Sequence, residues 1–149
     1  MPGRATHVKV GTAAGVGMGL FHARDETGFA WLSEVAGAAW GGKVGGLAPD
    51  VLEPARSPCH RSSAHSVLAL LGVSLASLEA ARRYCRTQAD ACAVRRADQT
   101  LSTVQQAVAL LLEFLWRFLA GALGGMQAGY VSHLVLDAAT PMSLPLICR

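Results

Sequence analysis

Two polar segments, far apart in a mostly apolar chain, constrain the fold most strongly. The first runs from Pro49 to Ser66 and the second from Ser132 to Asp137. Apolar residues make up 52% of the sequence and charged residues 15%, so imidazole and carboxylate groups buried in such a chain need partners or a bound ion. We interpret the two segments as the two halves of one metal site, which the fold must bring together.

The downstream segment contains a His and an Asp at helical spacing. His133 and Asp137 are four residues apart, follow the apolar run 118–131 and precede Pro141, which predicts the last turns of a helix. Residues four apart lie on one helix face and can bind a single cation. The alternative is a hydrogen-bonded His–Asp pair that braces the helix end.

The upstream segment adds further candidate ligands. Asp50 follows the glycine-rich stretch 41–46 and stands between two prolines, which predicts a loop or a broken helix end. His60 precedes, and His65 begins, the next apolar helical run, where the helix dipole favours a neutral, ligating imidazole. The alternative is that these residues and Glu53 are solvated loop residues.

Apolar periodicity predicts an all-α fold, a compact multi-helix bundle with a long motif-bearing loop, in one domain spanning residues 1–149. The predicted helices are Val8–Phe21, Phe29–Trp40, about His65 to Arg86, and Leu101–Asp137 with a break at Gly121 or Gly124-Gly125; the loop is Gly41–Ser66. The glycines between Gly15 and Gly19 lack the preceding strand and the spacing of a nucleotide-binding loop. They indicate close helix packing instead.

Membrane contact is indicated by composition but is not proved by it. No stretch reaches about 18 uninterrupted apolar residues, and the apolar region 104–131 contains Glu113 and Arg117. These two residues are four apart and can form a helical ion pair. A tilted or interfacial helix, a buried helix of a bundle and an oligomer interface all remain compatible with the pattern.

The middle of the chain is basic, with arginines at positions 82, 83, 86, 95 and 96. Few aromatic residues accompany them, so no nucleic-acid partner is expected. A solvated helix surface or contact with anionic lipid headgroups explains the arginines.

The cysteines and the N-terminus favour a cytoplasmic site. The four cysteines form no CxxC pair, and Cys85 and Cys92 share a helix face as packing groups. Cys59 adjoins His60 and is either a packing group, a soft ligand or a reactive thiol. His7 and Lys9 interrupt the N-terminal segment early, which is not typical of a secretory signal.

At the polar segments the chain resembles the YdjM-type membrane-bound metal-dependent hydrolases, from about Thr6 to Leu146. The matching motifs are Pro49-Asp50, Glu53-Pro54, His60-Arg61, His65-Ser66, Gly129 to His133 with Asp137, Thr140-Pro141 and Leu144 to Leu146, with Thr6-His7 and Gly11 to Gly19 near the start. The resemblance implies an all-helical fold, distantly similar to zinc phospholipases C and zinc nucleases, at the inner membrane or in the cytoplasm.

The chain departs from the family pattern at three places. Leu52 stands where many members carry a second Asp, Ser63-Ala64 replaces an aromatic or Thr pattern, and Arg149 follows closely on the last motif. We therefore expect a domain that is short at its C-terminus and has fewer carboxylates for metal binding.

The resemblance and the residues together predict a metal-dependent hydrolase. Its expected ligands are His7, Asp50, His65, His133 and Asp137, a mixed imidazole and carboxylate set that suits zinc, with manganese or iron as alternatives. A metal-activated water would attack a phosphoester or phospholipid. Glu53 or His60 would transfer protons, and Arg61 would bind the anionic transition state.

Two other functions stay open. One is a non-catalytic, membrane-associated interaction protein derived from the same family, which Leu52 and the short C-terminus favour. The other is a structural homo-oligomer whose histidines brace helix ends.

Overall fold

The computed structural model describes residues 3–52 and 77–139, and this part of the chain folds into four α-helices without a strand. The helices are α1 (Arg4–His22), α2 (Gly28–Leu52), α3 (Ser77–Ala97) and α4 (Thr103–Ala138). The prediction of an all-α helical bundle is confirmed. The start of the predicted helix at His65 lies outside the described residues.

Helix α2 is the largest departure from the predicted boundaries. It continues through the glycines at 41, 42, 45 and 46 to Leu52, so the prediction that a loop begins at Gly41 is wrong. Asp50 consequently lies in the last turn of a helix. Helix α4 also runs unbroken through Gly121 and Gly124-Gly125. Each glycine costs about 1 kcal/mol in a helix, and close packing against neighbouring helices offsets that cost here.

The glycines are required by backbone-to-backbone contacts. A Cβ built on Gly11 would lie 2.6 Å from the carbonyl oxygen of Gly42, and one on Gly46 would lie 2.7 Å from the carbonyl oxygen of His7. Both distances are shorter than a real side chain tolerates. The predicted close packing of Gly15 and Gly19 is confirmed, since both face α2 around Ala38.

The same contacts fix the direction of the helices. The contacts between α2 and α4 join Glu34 to Gly121, Ala38 to Gly125 and Gly42 to Gly129. Residue numbers rise in the same direction along both helices, so α2 and α4 are parallel. Residue numbers along α1 fall where those of its contacts on α2 rise, so α1 and α2 are antiparallel. The start of α1 and the ends of α2 and α4 therefore lie at one end of the bundle.

Small residues fill the interior, and large apolar residues face outward. Apart from glycines, the buried apolar residues among those described are alanines, Pro49, Cys85, Cys92 and Leu134. The predicted packing role of the two cysteines is confirmed. Phe21, Leu32, Trp40 and Val135 are more than half exposed. Soluble proteins usually bury such side chains, whereas helices in membranes pack through small residues and face lipid with large ones.

Helix α4 is the one helix among the described residues that is long and apolar enough to cross a membrane. Its 36 residues extend over about 54 Å, more than the roughly 30 Å of a bilayer core. A capping box at Ser102 and Gln105 fixes its start. Its end at Ala138 agrees with the stop predicted before Pro141.

Candidate metal centre

Four of the five predicted ligands lie at the end of the bundle where α1 begins and α2 and α4 end. His7 is in the first turn of α1, Asp50 in the last turn of α2, and His133 and Asp137 in the last turns of α4. Ligand atoms of His7, Asp50 and His133 all lie within 4.8 Å of one another. Asp137 reaches the same place, because its Oδ1 is 3.7 Å from Nε2 of His7.

Stripes of small residues with a four-residue period bring these side chains together. On α1 the stripe is His7, Gly11, Gly15 and Gly19, and on α4 it is Gly121, Gly125, Gly129, His133 and Asp137. Both stripes pack on α2, where Ala38, Gly42 and Gly46 precede Asp50 at the same period. The three backbones approach so closely that the polar residues ending each stripe meet around one point.

The backbone of α2 sets the orientation and tautomer of His133. Its Nδ1 lies 2.8 Å from the carbonyl oxygen of Gly46, and a carbonyl can only accept, so Nδ1 carries the proton that is donated. The lone pair of the neutral ring is then on Nε2, which faces Oδ1 of Asp50 at 3.6 Å and Oδ2 of Asp137 at 3.5 Å. Metal-binding histidines typically donate a hydrogen bond from the ring nitrogen that does not bind the metal, as Nδ1 does here.

The imidazole of His7 stacks on that of His133. The ring centroids are 3.9 Å apart and the planes are inclined by 22°. Both rings are buried, as is Asp137, whereas the side chain of Asp50 is 40% exposed. Asp50 is therefore the member of the cluster through which solvent or a small molecule can approach.

The donor set and its spacing fit a divalent ion. Two imidazoles and two carboxylates are common zinc ligands, and ligand distances of 2.0–2.2 Å separate neighbouring donors of a tetrahedron by about 3.4 Å. The separations of 3.5, 3.6 and 3.7 Å between nitrogens and carboxylate oxygens are close to that value. Two carboxylates gathered in a largely buried place also call for a compensating cation.

Four further residues were predicted to belong to the site. His65, the fifth predicted ligand, and Glu53, His60 and Arg61, the predicted catalytic residues, lie outside the described residues. Their roles remain predictions. Cys59 likewise lies outside the described part of the chain.

A second polar cluster, which the sequence analysis missed, lies at the other end of the bundle. Glu34 of α2 is completely buried, with Arg82 and Arg86 of α3 at 3.9 and 3.6 Å. Glu26 is paired with Arg86 at 2.7 Å and with Arg117 of α4 at 2.9 Å. The sequence did contain a signal for this cluster. Glu34 lies four residues before Ala38, and Arg117 lies four residues before Gly121, so each continues the four-residue period of a small-residue stripe.

This cluster corrects the expectation for the basic middle of the chain. Arg82 is buried, and its guanidinium donates two hydrogen bonds to Glu79 at 2.7 and 2.8 Å. The expectation of a solvated helix surface is therefore wrong for this residue. These bonds hold the pKa of the Glu79 carboxyl at about 2. The predicted pair of Glu113 and Arg117 is confirmed at 3.6 Å. The cluster attaches α3 to the rest of the bundle.

The chain was compared with protein-family models, curated proteins and solved structures. The sequence model of a family described as YdjM inner membrane protein matches residues 1–148. No curated protein and no solved structure matches the chain significantly.

Proposed function

The chain belongs to the YdjM inner membrane protein family, and we propose that it is a metal-dependent hydrolase of a phosphoester. The proposed ligands are His7, Asp50, His133 and Asp137. His65, which lies outside the described residues, is proposed as a fifth ligand on the basis of the sequence. Zinc is the proposed ion, and manganese or iron are the alternatives. The proposed place of action is the inner membrane, with the ligand end of the bundle on the cytoplasmic side.

One observation carries the proposal: Nε2 of His133 faces the carboxylates of Asp50 and Asp137 at 3.6 and 3.5 Å while Nδ1 is bonded to the carbonyl of Gly46. Two carboxylates converging on a buried imidazole nitrogen need positive charge between them, and a bound divalent ion would supply it. The small-residue packing that creates this arrangement costs helix propensity at every glycine. A bound ion explains why the chain maintains it.

The chemistry follows from the arrangement of these residues. A divalent ion held here would lower the pKa of a water molecule and polarise the phosphoryl oxygen of an ester. The exposed side of Asp50 is the proposed approach for water and substrate. In the net reaction, the water oxygen bonds to phosphorus, the bond between phosphorus and the ester oxygen breaks, and the alcohol leaves with a proton from the water.

Proton transfer and charge stabilisation are assigned to the segment after α2. Glu53 follows Asp50 by three residues, and we propose that it or His60 carries the proton from water to the leaving alcohol. Arg61 is proposed to bind the phosphoryl oxygens through its planar donors.

A non-catalytic, membrane-associated interaction protein is the second candidate. Leu52 favours it, because this exposed residue near the end of α2 stands where many hydrolases of the resembled type carry a carboxylate. A protein of that kind would keep its fold without metal.

The test is phosphoester hydrolysis by purified protein supplied with zinc, manganese or iron, using bis(p-nitrophenyl) phosphate as the probe. His133→Ala should abolish the metal-dependent rate. His22→Ala is the matched control, because His22 lies 15 residues after His7 on α1, about 22 Å along the helix. Equal rates in the two variants, or no metal-dependent rate in the native protein, would reject the hydrolase and favour the second candidate.

A further inference from the structure

An apolar groove of about 380 Å³ runs between α1 and α4, next to the candidate metal centre. Val10, Ala14 and Met18 line it from α1, and Ala128, Val131 and Val135 line it from α4. Neither face of the groove belongs to the small-residue stripes that hold the bundle together. The groove is therefore a separate feature of the surface.

The groove runs along the parts of α1 and α4 that carry three of the ligands. Val10 follows His7 by three residues, which is just under one helical turn, and two further lining residues, Ser132 and Leu136, immediately precede His133 and Asp137. The four ligands do not line the groove themselves, so a molecule that enters at Asp50 would pass over the end of the bundle to reach it. Such a molecule needs a polar end and an apolar end.

The lining favours an apolar occupant. The hydroxyl of Ser132 donates to the carbonyl of Gly129 at 2.7 Å, so it is already satisfied within its own helix. The other lining residues are apolar except for Gln127. A groove with so few polar groups fits hydrocarbon and offers little to a sugar or a nucleotide.

The size and surroundings favour a lipid chain over a second protein. A helix of about 10 Å diameter would fill more than this volume within about one turn, whereas an extended hydrocarbon chain is far thinner. The large apolar residues on the outside of the bundle, and the inner-membrane family of the chain, place lipid next to the groove.

We infer that the groove holds the hydrocarbon chain of a lipid phosphoester whose phosphate lies at the His7–Asp50–His133–Asp137 cluster. The inference rests on the proposed function for the position of the phosphate and deepens it by naming an anionic phospholipid as the substrate class. The walls contributed by Ala14 and Ala128 leave space for the chain, so larger side chains at these positions should exclude it.

The test uses phosphatidic acid with a photoreactive diazirine in its acyl chain, added to the full-length protein in nanodiscs. Cross-links mapped by mass spectrometry should concentrate on the peptides that contain residues 10–18 and 127–136. Ala14→Phe should reduce these cross-links about tenfold, because the added ring would occupy the space proposed for the acyl chain. Ala13→Phe is the matched control, because Ala13 is exposed and lies outside the groove lining.

Ala128→Phe provides the same blockage from the opposite wall and is used if Ala14→Phe does not fold. Cross-links spread evenly over the outward-facing helices, or unchanged by blockage, would overturn the inference. Groove labelling without any hydrolysis would reject the proposed function and leave the lipid site standing. If the protein hydrolyses a soluble ester but Ala14→Phe is cross-linked as strongly as native protein, the lipid site in the groove is rejected and the proposed hydrolase activity is retained.

Discussion

The carbonyl oxygen of Gly46 accepts a hydrogen bond from Nδ1 of His133 at 2.8 Å. The backbone of α2 thereby determines which nitrogen of a side chain on α4 is available to a ligand. This bond depends on the absence of a side chain at Gly46, because a Cβ there would press on the carbonyl of His7. The packing of three helices and the chemistry of the ligand cluster are thus set by the same residue.

Gly46→Ala should weaken both the fold and the ligand cluster. The added Cβ would lie 2.7 Å from the carbonyl oxygen of His7, so α1 must move away from α2, at a cost of about 1–3 kcal/mol. Thermal unfolding and zinc titration measure the two effects. At Gly17 a Cβ meets nothing within 4 Å, so Gly17→Ala should be neutral or stabilising by about 0.5–1 kcal/mol. Similar behaviour of the two variants would contradict the packing described for α1 and α2.

Arg117→Ala should destabilise the protein far more than Arg83→Ala. Arg117 is buried and pairs with Glu26 at 2.9 Å and with Asp90 at 3.0 Å. Its loss would remove these charged hydrogen bonds and leave Glu26 with Arg86 alone, at a cost of about 1.5–3 kcal/mol. The side chain of Arg83 is 75% exposed, so its loss should cost about 0–1 kcal/mol. Unfolding midpoints in detergent compare the two, and equal losses would mean that the cluster does not hold α3.

Glu79→Gln should lower stability at neutral pH and lose its effect in acid. The hydrogen bonds from Arg82 hold the pKa of Glu79 at about 2, below its ordinary value of 4.5. A lowered pKa means that the folded state favours the ionised carboxyl, so the stabilisation is complete above 4.5 and disappears as the pH falls towards 2. The measurement is the difference in unfolding midpoint between native protein and variant, and this difference should shrink as the pH falls from neutral through 4.5 towards 2. Asp25→Asn is the control, because the Asp25 side chain is 85% exposed and its loss should change little.

Trp40 should contact the hydrocarbon of a bilayer. Trp40 contacts the ring of Phe118 on α4 but is 55% exposed on the outside of α2. Trp116 is less exposed and packs edge-on against Tyr84 of α3. Lipids brominated along the acyl chain should therefore quench the fluorescence of a variant that keeps Trp40 as its single tryptophan more than one that keeps Trp116. Equal quenching would contradict an outward apolar surface that faces lipid.

Local sequence patterns predicted much of the fold but not how α2 ends. Helix content, the end of α4 and the pairing of Glu113 with Arg117 follow from spacing within one segment. The continuation of α2 beyond Trp40 does not, because glycine disfavours an isolated helix and only contacts with α1 and α4 reverse that preference. Tertiary packing decided the structure at those positions.

The ligand cluster was predictable only in part from the residues themselves. The spacing of His133 and Asp137 is a local signal, Asp50 stands between two prolines, and His7 was implied by the family resemblance. The burial of Glu34 among arginines of α3 required a contact between distant segments. The period-four stripes were the one sequence feature that could have revealed it.

Metal content is the most direct test of the central claim. Native protein, Asp50→Asn, His133→Ala and His22→Ala, each incubated with zinc and desalted, are analysed by inductively coupled plasma mass spectrometry. We predict about one ion per chain in the native protein and in His22→Ala, and a near-complete loss in the other two variants, with Asp50→Asn retaining the native helical content. Folded native protein that retains no metal, or equal retention in all four proteins, would contradict the account.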